Sequence, residues 1–380
     1  MDFFALIIML VPAFVTGFLF LAFRKKVKSI AYLFLALSIS LLLSVLIMWV
    51  PEVSGKQLSK RFEEIQFFQR NMPPIPKANT PDWEYWVLAQ SNLVQALYTY
   101  ADKHPKKDSI ANIMVSHITH KMMDEEQFPL QNYPKRWSSQ ALFLSHINII
   151  LATYQAMTND DQYAGLHKKI SNFLSAKMIS SPFKNVYTAG KEQGYYPAEN
   201  AVILESLRLS DQVQHSNYLK RTLQDWERFI KRELLYDNSK LPCTNFSESD
   251  KCKLLPQSTY LNWMVLYLNP SDPDFAKEIW HQTKFYYKES TLTLWKSFKR
   301  YHPDDTPPAY AKNNPRPLEV ISPNVLAKLT AATRQNRLIY FQINNLFLLK
   351  KFFNGKTVVT QENYWRQALN SVLHFRAECQ

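Results

Sequence analysis

Residues able to do acid-base chemistry are spread thinly along this chain, and two carboxyls stand out by position. Glu84 and Glu199 each fall in the first turn of a segment with helix-start signals, Thr80, Pro81 and Asp82 before the one, Tyr196 and Pro197 before the other. Two carboxyl groups flanking a glycosidic bond, one protonated and one ionised, can cleave it. First-turn acids also stabilise a helix dipole with no further role. Asp82, Asp124, Glu125, Glu126, Glu192, Asp304, Asp305 and Glu319 are the other acids of the helix starts and long connections. His146 stands in an otherwise apolar run, as a general acid or base or as a hydrogen-bonded core histidine. With Tyr196, these make the candidate catalytic set Glu84, His146, Glu199 and Tyr196. His117, His120 and Asp124 share a helix face at metal-ligand spacing, but a solvated face accounts for them and no metal is expected.

Ligand-binding candidates are mostly aromatic: Trp83, Trp86, Trp137, Tyr187, Tyr195, Trp263 and Tyr301, with Asn200 beside Glu199. Such rings stack on sugars or enclose an apolar ligand, and they equally pack loops onto a scaffold. No cofactor is expected. The chain has only 6 glycines in 380 residues, and none of them forms the spaced set of a dinucleotide or phosphate loop. The net charge of +13 suits an anionic partner, yet Lys and Arg are scattered and no nucleic-acid-binding signature accompanies them, so nucleic acid is excluded as a partner. Of three cysteines, Cys243 and Cys252 lie nine apart and are positioned for a small disulfide in an oxidising compartment, with a free thiol pair as the alternative.

These residues are positioned by helical hairpins. Residues 141–151 are apolar almost all round a helical wheel, as in a helix buried on every side. Tyr163, Leu166, Ile170, Phe173, Leu174 and Met178 then make one stripe opposite Lys168, Lys169 and Asn172, as in an outer helix. Thr158, Asn159, Asp160 and Asp161 supply capping groups for a tight turn between the two. The same inner-then-outer unit recurs from Trp83, Pro197 and Pro256, a fifth starts at Pro323, and a last helix follows Thr360. No segment alternates with period two as a buried strand would. Such recurrence predicts an all-α repeat fold, an (α/α)6-type toroid, with an open solenoid as the competitor. Inner-to-outer turns are short and outer-to-inner connections long, so in a ring the long loops gather at one end, the expected functional mouth.

Ahead of the hairpins, 3–23 and 30–50 are uncharged runs long enough to span a bilayer. Arg24, Lys25, Lys26 and Lys28 between them place that loop in the cytoplasm. The predicted organisation is a transmembrane hairpin (1–52), an amphipathic juxtamembrane helix with a Pro-rich linker (53–78) and a toroid domain (79–380). The expected address is a bacterial inner membrane, touched by two spans, with the large domain periplasmic.

Asp82-Trp83-Glu84-Tyr85-Trp86, the Ser145-His146 pair, the turn from Tyr196 to Ala201, and Trp263 followed by residues 272–276 are similar to motifs of the membrane-anchored relatives of linalool dehydratase-isomerase. The resemblance spans roughly 82–349 and implies an (α/α)6 fold. Ala198 stands where that family's pattern places a thiol, and Pro317 to Val320 replace its small, glycine-rich fifth helix, so thiol-dependent dehydration is not implied here. Two functions follow. One is an extracytoplasmic lyase, hydrolase or isomerase working by carboxylate acid-base chemistry on an envelope glycan or lipid-like alcohol. The other is a non-catalytic envelope protein that uses the same fold to bind a glycan or a protein partner.

Overall fold

The computed structural model of the protein describes residues 3–53, 56–77, 80–124, 128, 134–187, 194–291, 295–305 and 364–379. Its helices start where local chemistry favours them. Thr80 caps α4 (Pro81–Lys103), accepting a hydrogen bond from the Trp83 amide at 3.3 Å, with Pro81 in the first turn. Asp272 caps α11 (Pro273–Tyr287) in the same way, through the Phe275 amide at 3.0 Å. The turn after α6 (Ala141–Thr158) departs from the reading of Asp160 and Asp161 as caps of the next helix. Asn159 closes α6 in the left-handed conformation, and α7 (Ala164–Ser180) begins only after Tyr163. Asp160 instead accepts from the Gln162 amide at 2.8 Å and from the Tyr154 hydroxyl at 2.5 Å. Its short side chain is engaged within the turn itself.

Burial separates the helices into two kinds. In α6 every residue from Phe143 to Tyr154 is buried, and α8 (Pro197–Gln214) is buried from Pro197 to Leu207. In α9 (Tyr218–Glu233) only Tyr218, Thr222, Trp226 and Ile230 are buried, one residue per turn. Each large apolar side chain so buried contributes about 1.5–3 kcal/mol. Trp226 also donates its indole N–H to Asn185 at 3.1 Å, tying the outer helix to the connection after α7.

Inner helices neighbour one another in the order α12 (Tyr364–Cys379), α4, α6, α8, α10 (Ser258–Leu268). Outside them, α5 (Asp108–Met122) packs on α4 and α6, α7 on α6 and α8, α9 on α8, and α11 on α10. The row curls. Asn92 of α4 donates to the Tyr267 hydroxyl of α10 at 2.9 Å, although α6 and α8 stand between those helices in the row. A straight solenoid does not bring its first and fourth inner helices into contact. The fifth inner segment, from Pro323 to Leu349, lies outside the described residues.

Helix α3 (Lys56–Arg70) takes an outer position of its own. Phe62 and Ile65 are buried, Phe62 stacks on Tyr100 at 4.6 Å, and the Tyr364 hydroxyl donates to the Phe68 carbonyl at 2.6 Å. The amphipathic stripe of Leu58, Phe62 and Ile65 therefore packs on protein, against α4 and α12. The two apolar runs form α1 (Phe3–Phe23) and α2 (Lys28–Val53), packed together and joined by a Ser38 hydroxyl donating to the Ala13 carbonyl at 2.7 Å. Among the described residues no helix is long and apolar enough to cross a membrane, so the expected transmembrane hairpin and its two-span membrane contact are not supported.

Two small antiparallel hairpins interrupt the helices. Leu235–Tyr236 (β1) pairs with Leu241–Pro242 (β2), and Lys288–Thr291 (β3) with Trp295–Phe298 (β4). The first lies in the connection to α10 and the second follows α11, and strands this short carry no readable period-two signal. Cys243 and Cys252 are joined by a disulfide directly after β2. Closing so short a loop contributes about 2–3 kcal/mol in the chain-entropy picture.

Candidate functional site

The connections alternate in length around the row. Residues 104–107, 159–163, 215–217 and 269–272 link inner to outer helices, whereas 123–140, 181–196 and 234–257 lead back inward. The long connections meet the amino-terminal ends of inner helices, where most sequence-derived candidates stand. Most of the expected ligand-gripping rings are packed there. Trp83 (5% exposed) lies against Phe143 at 4.6 Å, Trp137 meets the Phe173 edge at 5.4 Å, and Tyr196 stacks on Tyr260 at 5.8 Å. Trp86 and Trp263 are buried as well. Only Tyr187, Tyr195 and Tyr301 stay half-buried. Tyr187 and Tyr195 meet edge to face at 5.9 Å, Tyr195 stacks on Phe246, and Tyr301 bridges to Gln257 beneath the Arg300 guanidinium.

Asn200 is a positioning group. Its amide accepts from the Val186 N–H at 2.7 Å and donates to the carbonyls of Val186 and Tyr196, fastening the connection after α7 to the first turn of α8. Glu199 occupies that same turn and is 4% exposed, while Glu84 is exposed on the first turn of α4. Among the described residues, Glu199 and Glu205 are the carboxyls less than a tenth exposed. They lie about 9 Å apart along α8 and about 120° apart around it, so they do not share a face. Glu205 is held by Arg208 through two hydrogen bonds, at 2.7 and 2.9 Å. Asp304 is exposed, and hydrogen bonds from Asn238 and Tyr236 keep its carboxyl below the usual range, which suits a permanent anion rather than a proton donor. Glu125, Glu126, Glu192 and Glu319 lie outside the described residues.

The interior of the ring holds a polar cluster. His146, fully buried on α6, has Nδ1 2.7 Å from the Ser91 hydroxyl of α4. Its Nε2 has no hydrogen-bond partner among the described residues, and neither has the indole N–H of Trp263, whose ring lies 6.2 Å away. Burial, with a smaller push from Arg376, lowers the His146 pKa to about 3, so the ring is neutral. Arg376 of α12 donates to Asn92 at 2.6 Å and Gln95 at 2.8 Å, and its guanidinium sits over the Tyr267 ring. Burial pushes the Tyr267 phenol up, against Arg376 and the neighbouring hydroxyl and amide groups. Of the sequence-derived candidates, this cluster unites His146 and Trp263. Ser91, Asn92, Gln95, Tyr267 and Arg376 went unnoticed, and their signal was polar side chains on helices apolar elsewhere.

A second buried histidine, His167, belongs to the α6–α7–α8 seam, with Ser210 at 2.9 Å and Gln155 at 3.1 Å. Beside this seam, at the opposite end from the expected mouth, a cavity of about 460 Å³ opens between the last turns of α6 and α8 and Tyr98 of α4. His120 makes a 2.6 Å contact with the Ser116 carbonyl and packs by Tyr154 and Tyr163. Among the described residues no three His, Cys, Asp or Glu side chains gather as metal ligands.

No protein-family profile matches this chain, and no curated protein does. A solved structure does: the GH76A α-1,6-mannanase from Salegentibacter sp. HEL1_6, at a TM-score of 0.54 and 10% identity, over 85% of this chain and 98% of that one. The chain is all-α and resembles an (α/α)6 toroid. At such identity the likeness carries the fold alone. The comparisons thus support the toroid that the linalool dehydratase-isomerase resemblance implied, and give that family itself no further support.

Proposed function

We propose that this toroid acts on a glycan at the end of the ring where the long connections meet, with Glu199 as the proton donor. One observation carries the reading. Glu199 is a deeply buried carboxyl in the first turn of an inner helix, on the turn that Asn200 locks to the neighbouring connection. A general acid works from a fixed position beside the leaving oxygen, and this turn is fixed. The structural neighbour is by title an α-1,6-mannanase, so α-1,6-linked mannan is the first substrate to offer. Glu84 and the half-buried Tyr187, Tyr195 and Tyr301 are the other groups that we assign to meeting a sugar chain from that side, while Tyr196 supports the turn from beneath.

A second reading, glycan binding without cleavage, is favoured by the fate of the other groups. Glu205, the other described carboxyl less than a tenth exposed, is taken by Arg208, so no second buried carboxyl among the described residues is left to pair with Glu199. Incubating the full chain with α-1,6-mannan and measuring new reducing ends separates the readings. Cleavage that falls about a hundredfold or more in Glu199→Gln supports the proton donor. Retention of mannan without cleavage, equal in both proteins, supports the binder. Neither cleavage nor retention overturns both.

The disulfide is consistent with an extracytoplasmic location, the expected address of the large domain. We further propose that α1 and α2 hold the protein at a lipid bilayer. Phe14 and Phe18 on α1 and Leu33 on α2 are each at least 67% exposed, in sequences whose apolar runs are broken only by the basic turn at 24–28. Flotation with liposomes tests this: the full chain floats and the chain without residues 1–52 does not, whereas recovery of the full chain in the soluble fraction removes the anchor.

A further inference from the structure

The polar cavity between the last turns of α6 and α8 belongs to neither the mouth nor the axial cluster. At about 460 Å³ it is of the size that takes a small ligand. Its lining is polar in a particular way. Tyr98 is 43% exposed, so the ring offers a face, and Gln155, Asn159 and Gln212 supply side-chain amides, groups that pair with hydroxyls as donors and acceptors at once. Asp161 adds a carboxylate on the same wall. Its Oδ1 accepts from Gln155 Nε2 at 2.7 Å, and Gln155 is fixed behind by His167 at 3.1 Å, so the wall is built rather than loose.

The field in this cavity is negative. Two helices end on it, α6 at Thr158 and α8 at Gln214, and helix carboxyl ends carry partial negative charge that adds to Asp161. Arg208 stands near Tyr98, but it donates two hydrogen bonds to the Glu205 carboxylate, which offsets its charge. A site with an aromatic face, three amides and one carboxylate at helix carboxyl ends fits a hydroxyl-bearing ammonium. We propose that this cavity binds an amino sugar, with its ring on Tyr98, its ammonium on Asp161 and its hydroxyls on the amides of Gln155, Asn159 and Gln212. The site is independent of the glycan-acting mouth and stands whether or not that reading holds.

Titrating the full chain with glucosamine, glucose and N-acetylglucosamine by calorimetry tests it. Glucosamine binds, and N-acetylation, which removes the positive charge, weakens binding by about tenfold or more, as does Asp161→Asn. Tyr98→Ala weakens glucosamine and glucose together, whereas Glu199→Gln changes neither. Because Asp161 also holds Gln155, thermal unfolding of Asp161→Asn is measured alongside, and Gln212→Ala, away from that bond, must also weaken glucosamine. Equal binding of all three sugars, no binding of glucosamine, or indifference to Asp161→Asn in a folded protein would each overturn the assignment.

Discussion

His146 and His167 sit on neighbouring helices, both shut away from water, yet one network around them is closed and the other is not. Around His167 the bonds run without a break. Asp161 accepts from Gln155 Nε2, which leaves Gln155 Oε1 to accept from Nδ1 of the histidine. The proton is thereby placed on Nδ1, and Nε2 faces the Ser210 hydroxyl at 2.9 Å, whose one proton it shares with the Ser206 carbonyl at 2.8 Å. Ser210 in turn accepts from Asn148 and Ser171, both at 2.9 Å. Around His146 the bonds run from one ring nitrogen only, through Ser91 to the Tyr267 hydroxyl and Asn92. Ser91 meets Nδ1, and Nε2 is left without a described partner, facing the Trp263 and Tyr267 rings. A satisfied network between three helices is a seam. A half-satisfied one on the ring interior costs stability, and function is the usual reason such a cost persists.

The sharpest way to break this contrast is Arg376→Leu. The guanidinium ties the last helix to the first inner one, and its loss orphans Asn92 Oδ1 and Gln95 Oε1 in a buried site at about 1–3 kcal/mol each. A loss near 3 kcal/mol or more in denaturant unfolding is expected. A loss under about 1 kcal/mol would mean that Arg376 does not hold the ring closed, since an isolated buried charge is itself unfavourable.

Next in size is Ser210→Ala in the seam. It removes the acceptor for Asn148 and Ser171 and the hydroxyl beside His167 Nε2 at once, which costs about 2 kcal/mol. If the seam is as closed as described, Ser210→Ala and His167→Gln are strongly non-additive in a double-mutant cycle. Additive losses would reduce the seam to separate pairs.

Proton linkage sharpens the comparison further. Both histidines have folded pKa values below the unfolded 6.5, about 3 for His146 and about 4 for His167, in each case chiefly through burial. The unfolded chain therefore binds the protons first. The stability tied to each neutral ring is complete above pH 6.5 and is lost as pH falls toward the folded pKa. Each histidine adds a slope of about 1.4 kcal/mol per pH unit between roughly pH 6 and 5. His146→Gln and His167→Gln should each remove one such slope in urea titrations at those pH values. An unchanged slope in His146→Gln would mean that the axial ring is already protonated or solvated.

The hairpin frame was legible because its signals are local. Thr80-Pro81 and Asp272-Pro273 mark helix starts by residue type alone, and the burial of α6 against α9 follows from their apolar patterns. The turn at 159–163 was not, since Asp160 had several nearby partners and sequence cannot rank them. The site was harder still. An indole that grips a sugar and one that packs a loop read alike, so Trp83, Trp86, Trp137 and Trp263 were proposed as ligand groups and stand in packing. Arg376 reaches Asn92 across 284 positions, a contact that no spacing rule suggests. The cavity at the short-turn end escaped for a related reason. Its walls are unremarkable amides, and only the curl of the ring brings Tyr98, Gln155 and Gln212 together.

Ser91→Ala is the smallest of these tests and the most direct on the axial cluster. The variant removes the one described partner of His146, a single hydrogen bond of about 1 kcal/mol, and leaves the seam around His167 untouched. If the axial cluster is structural, the whole effect is that loss, with the His146 pKa still depressed by burial. If Nε2 serves a ligand, the ring has lost the hydroxyl that fixes its tautomer and orientation, and mannan cleavage or retention falls by more than stability does. The two outcomes differ in whether the functional loss exceeds about fivefold at a temperature where the variant is fully folded. Equal small losses in both readouts would place His146 with His167, as part of the frame.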